Sequence, residues 1–80
     1  MLVNINNETG LNLNQVECWD FYPDENEIKI YIIGSPSAYE FSNINAIALH
    51  MLFTGQFDKY NIKNKFVINL QELFEKVNNE

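Results

Sequence analysis

The sequence predicts an α+β fold: a small antiparallel β-meander sheet with one central apolar helix and a C-terminal amphipathic helix packed on one face. Three observations predict it. Alternating, β-branched and aromatic runs fill the first half of the chain, whereas apolar residues from Ile44 onward recur at helical spacing. Turn-forming residues punctuate these runs at Gly10, Pro23, Gly34, Pro36 and Gly55. Strands come first and helices after, which is the order of helices laid on an antiparallel sheet rather than of alternating βαβ units.

Leu2 to Ile5 reads as a short strand, followed by turn chemistry in Asn6-Asn7-Glu8-Thr9-Gly10, where Gly10 is able to take a positive φ. Leu11 and Leu13 alternate with Asn12 and Asn14 as a second short strand. The clearest unit is the next one. Val16 to Tyr22 and Glu27 to Ile33 flank Pro23-Asp24-Glu25-Asn26, with Pro suited to the start of a turn and Asn to a left-handed position near its end. Placing Tyr22 opposite Glu27 pairs Phe21 with Ile28, Asp20 with Lys29 and Trp19 with Ile30. One face then carries Trp19, Phe21, Ile28, Ile30 and Ile32, with Glu17 near its far end. The other carries Cys18, Asp20, Tyr22, Glu27, Lys29 and Tyr31. Opposite charges facing across the strands favour this register, and a one-residue slip would send Trp19 and Phe21 to the polar side.

After the Gly34-Ser35-Pro36-Ser37 turn, Ala38 to Phe41 reads as a further strand, and Ser42 as the N-cap of a helix over 43–53 that Gly55 stops. Ile44, Ile47, Ala48, Met51 and Leu52 form its apolar stripe, widened by Leu49 and Phe53. A helix this apolar is buried on most sides or lies in an interface. Gln56 to Lys65 is polar with Phe57, Tyr60 and Ile62 as anchors, and Phe66 to Ile68 reads as a last strand. Asn69-Leu70-Gln71-Glu72 is a capping box that opens the final helix, whose Leu70, Leu73, Phe74 and Val77 share one face.

Eighty residues make one domain, and a chain this short buries only about 60% of its unfolded surface. Cys18 is the sole cysteine, so disulfides cannot add stability; eleven aromatics and 46% hydrophobic residues point instead to dense packing. No charged segment followed by an apolar run opens the chain, and the longest apolar stretch, Ala46 to Phe53, is interrupted by His50 and too short to span a bilayer. A cytosolic location and no membrane partner are therefore expected. The 13 asparagines are irregularly spaced, which suggests compositional bias rather than a repeat.

Charge is the most informative feature for function. Residues 1–28 hold Glu8, Glu17, Asp20, Asp24, Glu25 and Glu27 and no lysine, while the remaining five acids balance five lysines, so the whole net charge of −6 sits in the first third. Arginine is absent, and the phosphate field would repel such a chain, so direct nucleic-acid binding is not expected. The expected partner is a basic protein, such as a nucleic-acid-handling one, bound by Glu17, Asp20, Tyr22, Asp24, Glu25 and Glu27. Side chains two apart on a strand face lie about 6.5–7 Å from each other, near the spacing of phosphates along a nucleic-acid strand. Steered association and aromatic anchors at Tyr22 and Tyr31 would complete such a surface. Inhibition or sequestration of the partner, as by a phage or mobile-element counter-defence protein, is the function this implies.

Catalysis is not expected. Cys18 and His50 have no third group or motif around them, Glu17 and Asp20 point to opposite faces, and the three glycines are isolated rather than gathered in a phosphate loop. Asp20, Asp24 and Glu27 lack the loop pattern of a calcium site, so neither metal nor cofactor is expected. The alternative reading is a homodimeric scaffold in which Leu49 and Phe53 of the central helix cover a symmetry mate. A third is a small-molecule pocket lined by Trp19 and Tyr31. The Asn12…Val16…Pro23-Asp24…Ile28-Lys29-Ile30 pattern resembles small flagellar proteins of the FlbD type over about the first half of the chain. The chain departs from them at Ile33-Gly34-Ser35-Pro36 and in a longer C-terminal segment, and no function is carried over.

Overall fold

The computed structural model describes residues 1–6 and 8–80. Among them, the elements run β1 (Leu2–Asn4), β2 (Gly10–Asn12), β3 (Val16–Tyr22), β4 (Glu27–Ile32), β5 (Tyr39–Ser42), α1 (Asn43–Phe53), β6 (Val67–Asn69) and α2 (Leu70–Asn78). The class is α+β, and α1 spans the residues its spacing predicts. The strands nevertheless divide into two three-stranded sheets, β3-β4-β5 and β2-β1-β6, instead of one meander. The first is antiparallel throughout; in the second, β1 lies antiparallel to β2 and parallel to β6, with Val3 between Leu11 and Ile68.

The predicted hairpin register is observed pair for pair from Tyr22–Glu27 to Trp19–Ile30. Beyond Cys18–Tyr31 the next pair is Val16–Ile32, so Glu17 is an extra residue in a β-bulge. That corrects its placement on the apolar face: Glu17 is exposed, and the bulge spares the sheet a carboxylate against its core. Between β3 and β4, Asn26 takes the left-handed conformation at φ 50° and its N–H bonds to Pro23 O, as the turn chemistry predicts.

Asparagine side chains and left-handed asparagines account for several of the boundaries. Asn6 Oδ1 accepts from the N–H groups of Glu8 and Thr9 at 2.8 and 2.9 Å, forming the β1–β2 turn; Asn7 of that turn lies outside the described residues. Gly10, although able to take a positive φ, does not do so and instead opens β2. Asn12 Oδ1 accepts from Asn14 N–H, starting a 3-10 turn that ends the strand before Leu13. Ser42 is extended, but its side chain makes no cap hydrogen bond; Asn43, at φ 58°, turns the chain into α1. At the other end, Gly55 at φ 83° closes the helix with Gly55 N–H to Leu52 O and Gln56 N–H to Met51 O, a Schellman motif. Asn69 Oδ1 caps α2 by accepting from Glu72 N–H at 3.2 Å.

The core joins both sheets and both helices. Val3 and Ile5, Ile28 and Ile30, Leu49, and Leu70 are among its fully buried side chains, and among the described residues no polar side chain is buried with them. Phe57 and Ile62, predicted as anchors of the polar segment, are buried too. α1 buries Ala48 and Leu52 of the predicted stripe and Leu49 of its wider edge, together with Ala46, while Ile47 and Met51 are only half-buried and Ile44 is left 57% exposed. Leu49 therefore has no surface to offer a second copy, which removes it from the expected dimer seam.

Candidate functional site

The β3–β4 hairpin presents two faces of opposite character. Its inner face is covered from α1. Phe21 stacks on His50 with ring centroids 4.0 Å apart and planes 8° from parallel, Trp19 stacks on Phe53 at 5.5 Å, and the indole meets His50 edge-on. Phe53, the second residue of the expected dimer seam, is thus half-buried against Trp19 within its own chain. His50 packs as an aromatic plate between sheet and helix. The exposed Cys18 alternates with Trp19 and lies on the opposite face, so sulfur and imidazole do not form a dyad.

The outer face is polar and carries Cys18, Asp20, Tyr22, Glu27, Lys29 and Tyr31, joined by Glu40 from β5. Asp20 and Lys29 are cross-strand neighbours as expected, but the ammonium reaches the other way. Lys29 Nζ lies 3.6 Å from Glu40 Oε1, and Asp20 instead accepts a hydrogen bond from Tyr31 Oη at 3.2 Å. Lys29 also sits over the Tyr22 ring, 5.8 Å from its centroid. Its pKa is raised, first by the negative charge of Tyr22 when that ring is ionised and then by the Glu40 carboxylate. The Tyr31 pKa is raised as well, first by lost hydration and then by its bond to Asp20.

The expected binding residues all lie on one hairpin, although not in a regular ladder. Asp20, Tyr22 and Glu27 share the outer face, Asp24 and Glu25 occupy the exposed turn, and Glu17 stands at the bulge. Cys18 and Tyr22 interrupt the series of carboxylates that would imitate successive phosphates. Among the described residues, the ion pairs are Lys29–Glu40, Lys59–Glu80 and Lys63–Asp58, and none involves Glu17, Asp20, Asp24, Glu25 or Glu27. Lys29 on the same face turns to Glu40, and Lys59 and Lys63 pair off the hairpin, so the hairpin's five acids share a single lysine that none of them engages directly. Asn43 N–H donates to Asn26 O at 2.8 Å, which fixes the end of the turn to the start of α1.

Sequence reasoning missed Glu40, whose effect depends on which strand lies beside β4. It also missed an apolar patch elsewhere: Leu2 and Val67 are paired across β1 and β6, and with Phe66, which is 91% exposed, they face solvent. Strand alternation with the buried Val3 and Ile68 is the signal that places Leu2 and Val67 outward. The expected pocket of Trp19 and Tyr31 does not form, because the two side chains lie on opposite faces. A separate cleft of about 230 Å³ lies between β2 and the inner side of the other sheet, lined by Leu11, Gln15, Ile32, Tyr39 and Phe41 among others. It is smaller than the 300–1,000 Å³ usual for a small-molecule site.

Among the described residues, no three His, Cys, Asp or Glu side chains converge on a point where a metal ion would sit, and no helix is long and apolar enough to cross a membrane. Comparison of the chain with protein-family models, curated proteins and solved structures finds no match, so the resemblance to FlbD-type proteins gains no support.

Proposed function

We propose that the chain is a non-enzymatic interaction protein that docks a basic partner, of the nucleic-acid-handling kind, on the β3–β4 hairpin and inhibits or sequesters it. One observation carries this reading. Among the described residues, five exposed carboxylates of one hairpin have no ion-pair partner, because its single lysine, Lys29, turns to Glu40 of β5 and Lys59 and Lys63 pair with acids off the hairpin. Charges arranged in this way steer a basic partner during encounter and release its counterions on contact. Tyr22 and Tyr31 supply aromatic surface beside the acids, and the Asn43–Asn26 bond holds the turn against the helix, so little order has to be gained on binding.

The test is a pull-down at low and high salt from lysate of the source cell. The native chain is run beside a variant with Asp20, Asp24, Glu25 and Glu27 changed to Lys. A basic protein held by the native chain, released by salt and ignored by the variant is the expected result. Equal capture by both baits, or capture that resists salt, overturns the electrostatic reading.

A further inference from the structure

We propose that the partner segment binds as an added antiparallel β-strand along the open edge of β3, continuing a sheet that is antiparallel throughout, an inference that rests on the hairpin being the docking face. Among the described residues, β3 has β4 on one side and no strand on the other, and at seven residues it is longer than the other edge strands, β5 with four and β2 and β6 with three each.

The hydrogen-bond phase identifies the groups that face outward. Asn43 N–H bonds Asn26 O, and in an antiparallel ladder the bonded pairs alternate, so Ile28 and Ile30 also direct their backbone groups to β5. Glu27, Lys29 and Tyr31 then direct theirs to β3 and bond Tyr22, Asp20 and Cys18. The N–H and C=O groups of Trp19 and Phe21 are left pointing away from the sheet. They are the donors and acceptors that a further strand requires.

Side-chain alternation sets the chemistry of that strand. Residues opposite Trp19 and Phe21 fall on the inner side, beside two half-buried aromatic rings, and are apolar. Residues opposite Cys18, Asp20 and Tyr22 fall on the acidic outer side and are basic, because opposite charges across strands stabilise and like charges oppose. The occupant is therefore an extended segment alternating basic and apolar residues. A second copy of this chain fits poorly, since two β3 edges paired with Trp19 opposite Phe21 set Asp20 against Asp20 of the other copy and bring two acidic faces together. Acidic residues protect an open edge from neutral and acidic strands but leave it attractive to a basic one.

The test uses the full chain and a capped peptide, Lys-Val-Lys-Val-Lys-Val-Lys, at low salt. Two further peptides carry N-methyl groups, one on every valine and one on every interior lysine. Strand addition predicts that valine methylation, which removes the donors to Trp19 and Phe21 carbonyls, weakens binding at least tenfold. Lysine methylation, on donors that point away from β3, leaves binding within about twofold. The Trp19 and Phe21 amides, followed by NMR hydrogen exchange, slow at least tenfold with the parent peptide. If both methylated peptides bind like the parent and those amides exchange unchanged, strand addition is wrong while acidic docking stands. If the parent peptide fails to bind, or binds the four-lysine hairpin variant equally well, the docking face itself is wrong and strand addition falls with it.

Discussion

The Phe21 ring lies flat on the His50 imidazole, centroids 4.0 Å apart, and through this contact α1 holds the hairpin from its inner side. The same imidazole meets Trp19 edge-on, so one side chain supports two neighbouring positions of β3. Stacked and edge-to-face aromatic pairs contribute about 0.5–1.5 kcal/mol beyond their buried area. His50→Ala is expected to lower stability by about 1–2 kcal/mol, the two contacts acting together. Thermal denaturation reads the loss, and a red-shifted Trp19 fluorescence locates it. Unchanged emission would mean that Trp19 is held by Phe53 alone.

Leu49 is fully buried, and its truncation tests whether α1 is a core helix. Leu49→Ala is expected to cost about 2–5 kcal/mol, the range for a large-to-small change in a packed core. Leu49→Asp should yield unfolded protein. A folded, soluble Leu49→Asp monomer, measured by circular dichroism and sedimentation, would return this position to an intermolecular seam.

Asn43 occupies the left-handed region and donates to Asn26, itself left-handed. A residue with a β-branched side chain is strained there by about 1–2 kcal/mol, whereas glycine is not. Asn43→Val is expected to lower the denaturation midpoint clearly, and Asn43→Gly to change it little. Equal effects would place the importance of this residue in its side chain rather than its φ.

The Tyr31–Asp20 contact makes a signed pH prediction. Lost hydration and the hydrogen bond to Asp20 both favour the neutral phenol in the folded chain and raise its pKa. The resulting stability is present below the ordinary tyrosine value and is lost as pH rises through the raised one. Asp20→Asn should bring the Tyr31 pKa only part of the way back, because lost hydration, the larger cause, remains. Carbon-detected NMR titration of the tyrosine rings measures this directly; no change in Tyr31 would refute the contact.

Local chemistry was legible in the sequence where a single residue decided it. The hairpin register follows from alternation and turn residues, and the bounds of α1 from helical spacing and Gly55. The burial of α1 was less so, because a helix apolar on most sides does not reveal which side meets the sheet, and Leu49 rather than Ile47 took the centre. The split into two sheets depends on β1 finding β6 at the far end of the chain, a pairing that no local pattern encodes. Asn26 and Asn69 hold the turn and the cap that their local chemistry predicts, and Asn6 holds the predicted first turn, whereas the roles of Asn12 at the end of β2 and of the left-handed Asn43 and Asn61 were not foreseen. At the hairpin, the grouping of acids was visible in the sequence, whereas Lys29 choosing Glu40 over Asp20 required knowing that β5 lies beside β4.

The parallel pairing of Leu2 with Val67 sets an order of assembly. β3, β4 and β5 are joined by short turns and close cheaply, whereas β1 has to wait for nearly the whole chain before its second neighbour exists. Loop closure over that separation slows the β1–β6 contact relative to the local hairpins. Pulse-labelled hydrogen exchange during refolding should therefore protect the Ile28 and Ile30 amides before those of Val3 and Ile68. On a ribosome, β3 and β4 emerge ahead of β6, so their pairing can begin while β1 still lacks its second neighbour.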